Sequence, residues 1–225
     1  MRKIKLMILK LINSSLRYSL PEKKNLLIFD DMSIEDLKHI VSEYKYFILQ
    51  TRFENVLTLY LNPLIFFKTL INYRGNLWSA YLISLIQIVS PKVILTFSDN
   101  SLKFSEIAKR MQNKDKHFFA IQNGARHDLK RYIHKFREKL VKEDMTKKIY
   151  IPNFFCFGQF EVDDYKEKKI NVKNFIPVGS LRLANFLLEK KNYLKKEDYL
   201  YDILLISDGI TQDSDQNFGT KGDVL

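Results

Sequence analysis

The chain has 225 residues, 46% of them hydrophobic and 13% aromatic, with only 7 Gly and 5 Pro, which excludes a disordered or collagen-like chain and a loop-rich disulfide scaffold. That length exceeds the usual single domain yet is short for two full α/β domains, so one domain plus the start of another is expected. A net charge of +11 raises nucleic-acid binding, but the lysines are spread along the chain and mixed with acids at 161–169 and 189–198. No zinc-finger, basic-zipper or aromatic single-strand motif accompanies them, so no nucleic-acid partner is expected.

In chain order, residues 1–23 form a basic, apolar N-terminal segment. Ile4, Met7, Ile8 and Leu11 would share one helical face, with Lys3, Lys10 and Arg17 recurring at a spacing of seven beside it. Lys10 interrupts the apolar run and no small-residue cleavage site follows, which argues against a signal peptide. Residues 1–20 suit either a first helix packed on the domain or peripheral contact with an anionic membrane surface. Nothing in the chain approaches the roughly 20 apolar residues of a membrane span.

From residue 24 the pattern alternates short apolar runs with helical ones, which predicts βαβ units and a largely parallel sheet. Strands are expected at 24–29, ended by Asp30 and Asp31, and at 46–49, with a helix over 34–41 between them that starts at Ser33 and Asp36. Asn62 and Pro63 open a helix through Tyr73. A second helix over 76–89 is apolar nearly all round and therefore deeply buried, and Pro91 closes it. The run 92–97, KVILTF, is the clearest strand, and Ser98, Asp99, Asn100 and Ser101 end it.

A helix over 102–111 follows, then a strand over 117–121 that stops at Gln122, Asn123, Gly124, Ala125 and Arg126. A polar helix over 128–143 is expected on the surface. Strands at 154–157 and 174–178 end at Gly158 and at Gly179 and Ser180, and a helix covers 181–190. A charged, lysine-rich linker over 191–200 leads to an apolar strand over 201–206, and the 19 residues beyond it are polar and without periodicity. The expected organisation is thus a Rossmann-like domain over 24–190 and the remnant of a second domain over 201–225.

In open parallel sheets ligands bind outside the carboxyl ends of the strands. Four polar clusters fall there: 98–101, 122–126, Gly158 with Gln159, and 179–182. Each has an ordinary explanation as a strand-to-helix turn, which needs Gly for its dihedrals and Ser, Asp or Asn for capping. The turn at 122–126 exceeds that need, with two amides before its Gly and a guanidinium after it. Arg126 suits a phosphate or carboxylate. Asn100 suits a sugar hydroxyl, and Asp99 suits either a hydroxyl or the role of general base, for which His127 is a second candidate. His39, His117 and His134 read as surface or packing residues. The single Cys156 fits a reducing compartment, so a cytoplasmic location is expected, and no metal-ligand spacing is present.

The blocks PKVILTFSDNSLKF, FFAIQNGARHD, FFCFGQFEVDDY and FIPVGSLRLANF resemble those of a bacterial surface carbohydrate biosynthesis protein family, itself similar to glycosyltransferases of the two-Rossmann (GT-B) class. The last two blocks also resemble the teichoic-acid glycerophosphotransferases. The resemblance covers roughly residues 25–206. It implies transfer of a sugar or related group from a nucleotide-activated donor to a glycan or lipid-linked acceptor, with no other cofactor; the expected location is the cytoplasm, with residues 1–20 allowing contact with the inner face of the membrane. Asp99 and Asn100 match the family's strand-end DN. Gln122, Asn123, Gly124 and Arg126 match its QNG-x-R turn, Gly158 its FG, and Gly179, Ser180 and Arg182 its GS-x-R turn. In that class the donor nucleotide is held mainly by the C-terminal domain, of which this sequence carries only the first strand. Transfer by this chain alone is therefore not expected. A truncated, non-catalytic interaction module is the alternative.

Overall fold

A computed structural model of the protein describes residues 14–31, 34–51, 58–112, 115–124 and 148–190. The expected segments 1–13, 128–143, 191–200 and 201–225 lie outside them, as do Ser33, Arg126 and His127. The chain divides after Phe186 into two compact units, and the described fold is that of the first.

The described residues form eight strands and six helices. They are β1 (Ser15–Arg17), β2 (Leu26–Phe29), α1 (Ile34–Val41), β3 (Tyr46–Leu49), β4 (Thr58–Tyr60), α2 (Pro63–Asn72), α3 (Leu77–Val89), β5 (Val93–Thr96), α4 (Leu102–Met111), β6 (His117–Ile121), β7 (Tyr150–Cys156), α5 (Gln159–Glu167), β8 (Asn171–Pro177) and α6 (Leu181–Lys190). Six strands form one sheet in the order β3-β2-β5-β6-β7-β8, and every neighbouring pair is parallel. This is the Rossmann-like α/β architecture that the alternating pattern predicts.

Strand residues alternate between two apolar cores, as a parallel sheet buried on both faces requires. Leu27, Phe29 and Ile94 point into the larger core with α3, α4 and α5. Ile28, Leu95 and Phe97 point to the other face, where they meet Leu37 and Val41 of α1 and Leu181 of α6. Right-handed crossovers explain the division, because the chain leaves β2 in one direction to reach β3 and in the opposite direction to reach β6, β7 and β8. The order therefore reverses between β2 and β5, and the carboxyl ends of those two strands form the switch point where ligands bind in sheets of this kind.

Local chemistry sets the helix starts. The Asn62 side chain accepts from the Leu64 N–H at 3.0 Å with Pro63 in the first helical position. Asn76 accepts from the Ser79 N–H at 2.9 Å, and Ser101 from the Phe104 N–H at 3.2 Å. Each cap satisfies an amide that the helix itself leaves unpaired. α3 ends at Ser90, which takes the left-handed conformation with φ +54°.

The structure adds elements that the pattern does not reveal. β1 and β4 form a separate two-stranded parallel sheet, so part of the N-terminal segment is a strand. Only three residues long each, they carry no readable alternation. α5 lies where only a solvated charged run is expected, because Val162 and Tyr165 are its only buried residues. β7 begins four residues early. Pro152 discourages a strand reading there, since it cannot donate to the ladder.

Two predictions follow from packing. Thr96 Oγ1 is buried with no hydrogen-bond partner, so Thr96→Val should be neutral or stabilise by up to about 1 kcal/mol in urea denaturation; marked destabilisation would show that the hydroxyl is satisfied in solution. Glu106, on α4, meets Ser79 Oγ at 2.8 Å and Lys103 Nζ at 2.7 Å. Burial pushes its carboxyl up, but the hydrogen bonds from Lys103 and Ser79 and the charges of Lys103 and Arg110 outweigh it and hold the pKa below the ordinary 4.5. The carboxylate thus contributes stability above that value and loses it as pH falls through the lowered pKa. The stability advantage of the native protein over Glu106→Gln should therefore be flat at neutral pH and vanish in acid.

Candidate functional site

The polar clusters expected at strand ends do gather along one edge of the sheet, because parallel strands place all their carboxyl ends there. At the order reversal, β2 ends in Asp30 and β5 in Ser98 and Asp99. Asp30 is 4% exposed and Asp99 2% exposed. Asp30 also takes φ +83°, a conformation uncommon outside glycine. Two buried carboxylates thus flank the point where a ligand is expected in this topology.

Asp99 is oriented from across the sheet. The Tyr165 hydroxyl, on α5, donates to Asp99 Oδ2 at 2.9 Å in a buried hydrogen bond. Tyr165 itself packs in a three-ring cluster with Phe154 and Phe175, so the hydroxyl that meets Asp99 is held by a packed aromatic group. Ser98 Oγ donates to Asn100 Oδ1 at 3.2 Å, and Asn100 is exposed beside Asp99. Next to Asp30, Asp31 Oδ2 accepts from Gln50 Nε2 at 3.0 Å, and Gln50 Oε1 accepts from the Thr58 N–H at 2.9 Å.

The turn after β6 is braced internally. Gln122 is buried; its Oε1 accepts from the Phe157 N–H at 3.0 Å and its Nε2 donates to the Gly124 carbonyl at 3.0 Å. Both ends of the amide are therefore engaged with backbone, and the side chain ties the end of β6 to the end of β7. Asn123 and Gly124 are half-buried at the rim. Gly158 caps α5 through its backbone alone.

Farther along the edge, Gly179 adopts φ +88°, where a side chain would be strained. Ser180 Oγ accepts from the Leu183 N–H at 3.3 Å at the start of α6. The Arg182 guanidinium is engaged on several sides. Its Nε and Nη2 donate to Asp36 Oδ2 at 3.1 and 3.0 Å, its Nη1 lies 3.4 Å from the Asn123 carbonyl, and the group sits 5.3 Å from the centre of the Phe97 ring. Arg182 thereby joins α1, β5, the β6 turn and α6.

Cys156 is buried, and burial together with the negative charge of Glu161 pushes its thiol pKa up. It is a core residue rather than a nucleophile. Among the described residues no group of three His, Cys, Asp or Glu is arranged to hold a metal ion. An apolar groove of about 700 Å³ lies on the sheet face between α1 and α6, floored by Leu95, Phe119, Ile121 and Phe155. It meets the polar edge only at Gly179 and Ser180.

Asp99, Asn100, Gln122, Asn123, Gly124, Gly158, Gly179, Ser180 and Arg182 thus lie along one edge. Arg126 and His127 lie outside the described residues. Sequence reasoning did not single out Asp30 or Tyr165. Asp30 was legible only as a strand end, and Tyr165 stood in a charged run with no sign that it faces Asp99.

Comparison with protein-family models, curated proteins and solved structures finds no match for this chain. The class is therefore defined by the architecture itself, an α/β protein with a parallel sheet flanked by helices on both faces. Gln122→Ala should leave the Phe157 amide without its partner and cost about 1–3 kcal/mol, read as a shifted urea midpoint. An unchanged midpoint would mean that water replaces the amide.

Proposed function

We propose that this chain is the N-terminal, acceptor-side part of a glycosyltransferase-like enzyme that builds a surface carbohydrate from a nucleotide-activated donor. The observation that carries the reading is Asp99: a buried carboxylate at the carboxyl end of β5, held by Tyr165 beside the order reversal of a parallel sheet. The resemblance of the 91–104, 118–128, 154–165 and 175–186 blocks to surface carbohydrate biosynthesis proteins supports it from the sequence.

Carboxylate oxygens accept hydrogen bonds from sugar hydroxyls. An acceptor sugar would therefore sit against Asp30, Asp99 and Asn100. In the step proposed, the acceptor oxygen forms a bond to the anomeric carbon of the donor. The bond from that carbon to the nucleoside diphosphate breaks with its electron pair going to the phosphate oxygen, and the hydroxyl proton passes to the Asp99 carboxylate. Tyr165 orients that base without taking part in the transfer. Arg126 is the candidate for the departing diphosphate, His127 an alternative base, and the donor nucleotide would be held mainly by a second domain.

Two measurements test this reading. On an array of surface oligosaccharides, the full chain should bind a subset of glycans and Asp99→Ala should not; no glycan binding at all would contradict the acceptor assignment. In a nucleotide-release assay with the donor half supplied, Asp99→Asn should lower kcat about 10²–10⁴-fold with little change in KM. Native turnover by Asp99→Asn would remove it as the base.

A further inference from the structure

The helix α2 has its polarity reversed relative to an ordinary surface helix. Its inward side carries Ile65, Thr69 and Asn72; Asn72 Nδ2 donates to Ser84 Oγ and to Gln87 Oε1, both at 3.0 Å, and Thr69 Oγ1 donates to the Ile65 carbonyl at 2.7 Å. The outward side is apolar. At 100° per residue, Tyr73, Phe66, Leu70, Phe67, Ile71 and Leu64 succeed one another round about half the circumference. Phe66 is 66% exposed, Phe67 61% and Ile71 67%. A water-facing helix places its polar residues outward, so this face is built for an apolar medium or partner.

The patch continues beyond the helix. The Leu61 N–H donates to the Arg17 carbonyl at 2.7 Å, and Asn62 Nδ2 donates to the Tyr18 carbonyl at 3.0 Å. These bonds set the exposed Leu16 and Tyr18 beside the start of α2, where Leu61 is also exposed, and Leu77 extends the apolar surface past its end.

Charge identifies the occupant. Positions 1–21 and 55–98 contain Arg2, Lys3, Lys5, Lys10, Arg17, Lys68, Arg74 and Lys92, and not one Asp or Glu, in a chain with 26 acidic residues. Of the carboxylates around this surface, Glu106 pairs with Lys103 and Arg110 and Glu22 with Lys24, while Asp31 lines a pocket with Arg17 behind β4. We propose that the outward face of α2, with β1 and β4 beside it, docks on an anionic phospholipid surface. Aromatic and aliphatic side chains would enter the boundary between headgroups and acyl chains while Arg17, Lys68 and Arg74 meet the phosphates. A second copy of the chain fits less well, because a symmetric pair would bring Lys68 and Arg74 of both copies together with no acid between them. The inference does not depend on the reaction proposed above.

The test is co-sedimentation of the full chain with vesicles of phosphatidylcholine alone and of phosphatidylcholine mixed with phosphatidylglycerol. The native protein should pellet with the mixed vesicles, remain in the supernatant with the neutral ones, and be released by high salt. Phe67→Ser with Ile71→Ser alters only exposed positions and should weaken binding about tenfold or more while leaving the urea midpoint unchanged. Lys68→Glu should weaken it independently of the apolar pair. Absence of pelleting, or equal pelleting of native protein and variants, would overturn the proposal. So would a native dimer that the double variant dissociates without any vesicle binding, since the face would then join two copies.

Discussion

Burial of the parallel sheet on both faces is the constraint from which the rest follows. Leu27, Phe29 and Ile94 fill one core while Ile28, Leu95 and Phe97 fill the other. A slip of one residue in β2 or β5 would exchange both sets at once. With that register secured and every strand parallel, all the strand ends rich in Asp, Asn and Gly fall on one edge. The order reversal between β2 and β5 then places Asp30 and Asp99 at the switch point of the sheet.

Two kinds of polar residue meet on this edge, and hydrogen bonding separates them. Gln122, Arg182 and Asp36 are engaged with backbone or with each other and hold the turns in place. Asn185 of α6 adds a bond from its Nδ2 to the Asp36 carbonyl at 2.7 Å. Asp99 differs because its partner Tyr165 is a neutral hydroxyl rather than backbone or an opposite charge, on a helix whose two buried residues anchor it to the sheet. A supporting group of this kind fixes a carboxylate in one orientation, which a carbohydrate site needs, since neighbouring hydroxyls differ mainly in direction.

Much of this architecture was legible in the residues. The bounds of α1, β3, α4, β6 and α6 agree with those expected from the residues; α1 and α4 each bury one clear apolar face, whereas α6 follows from its periodicity although most of its leucines stay exposed. β1 and β4 were not legible; each draws its stability from a partner some 43 positions away rather than from its own pattern. α5 was hidden by the charges around Val162 and Tyr165, and the start of β7 by Pro152. At the site, the strand-end clusters announced their place but not their division of labour. Nothing in the run 161–169 says that Tyr165 reaches Asp99, and the reversed polarity of α2 appears only once the side chains have an inside.

The most direct test of the account is nuclear magnetic resonance mapping of the full chain during titration with a surface oligosaccharide. Shifts confined to residues 30–31, 98–101 and 122–124 would place the ligand at the order reversal, as the account predicts. Shifts at the opposite ends of the strands, or none at saturating glycan, would contradict it.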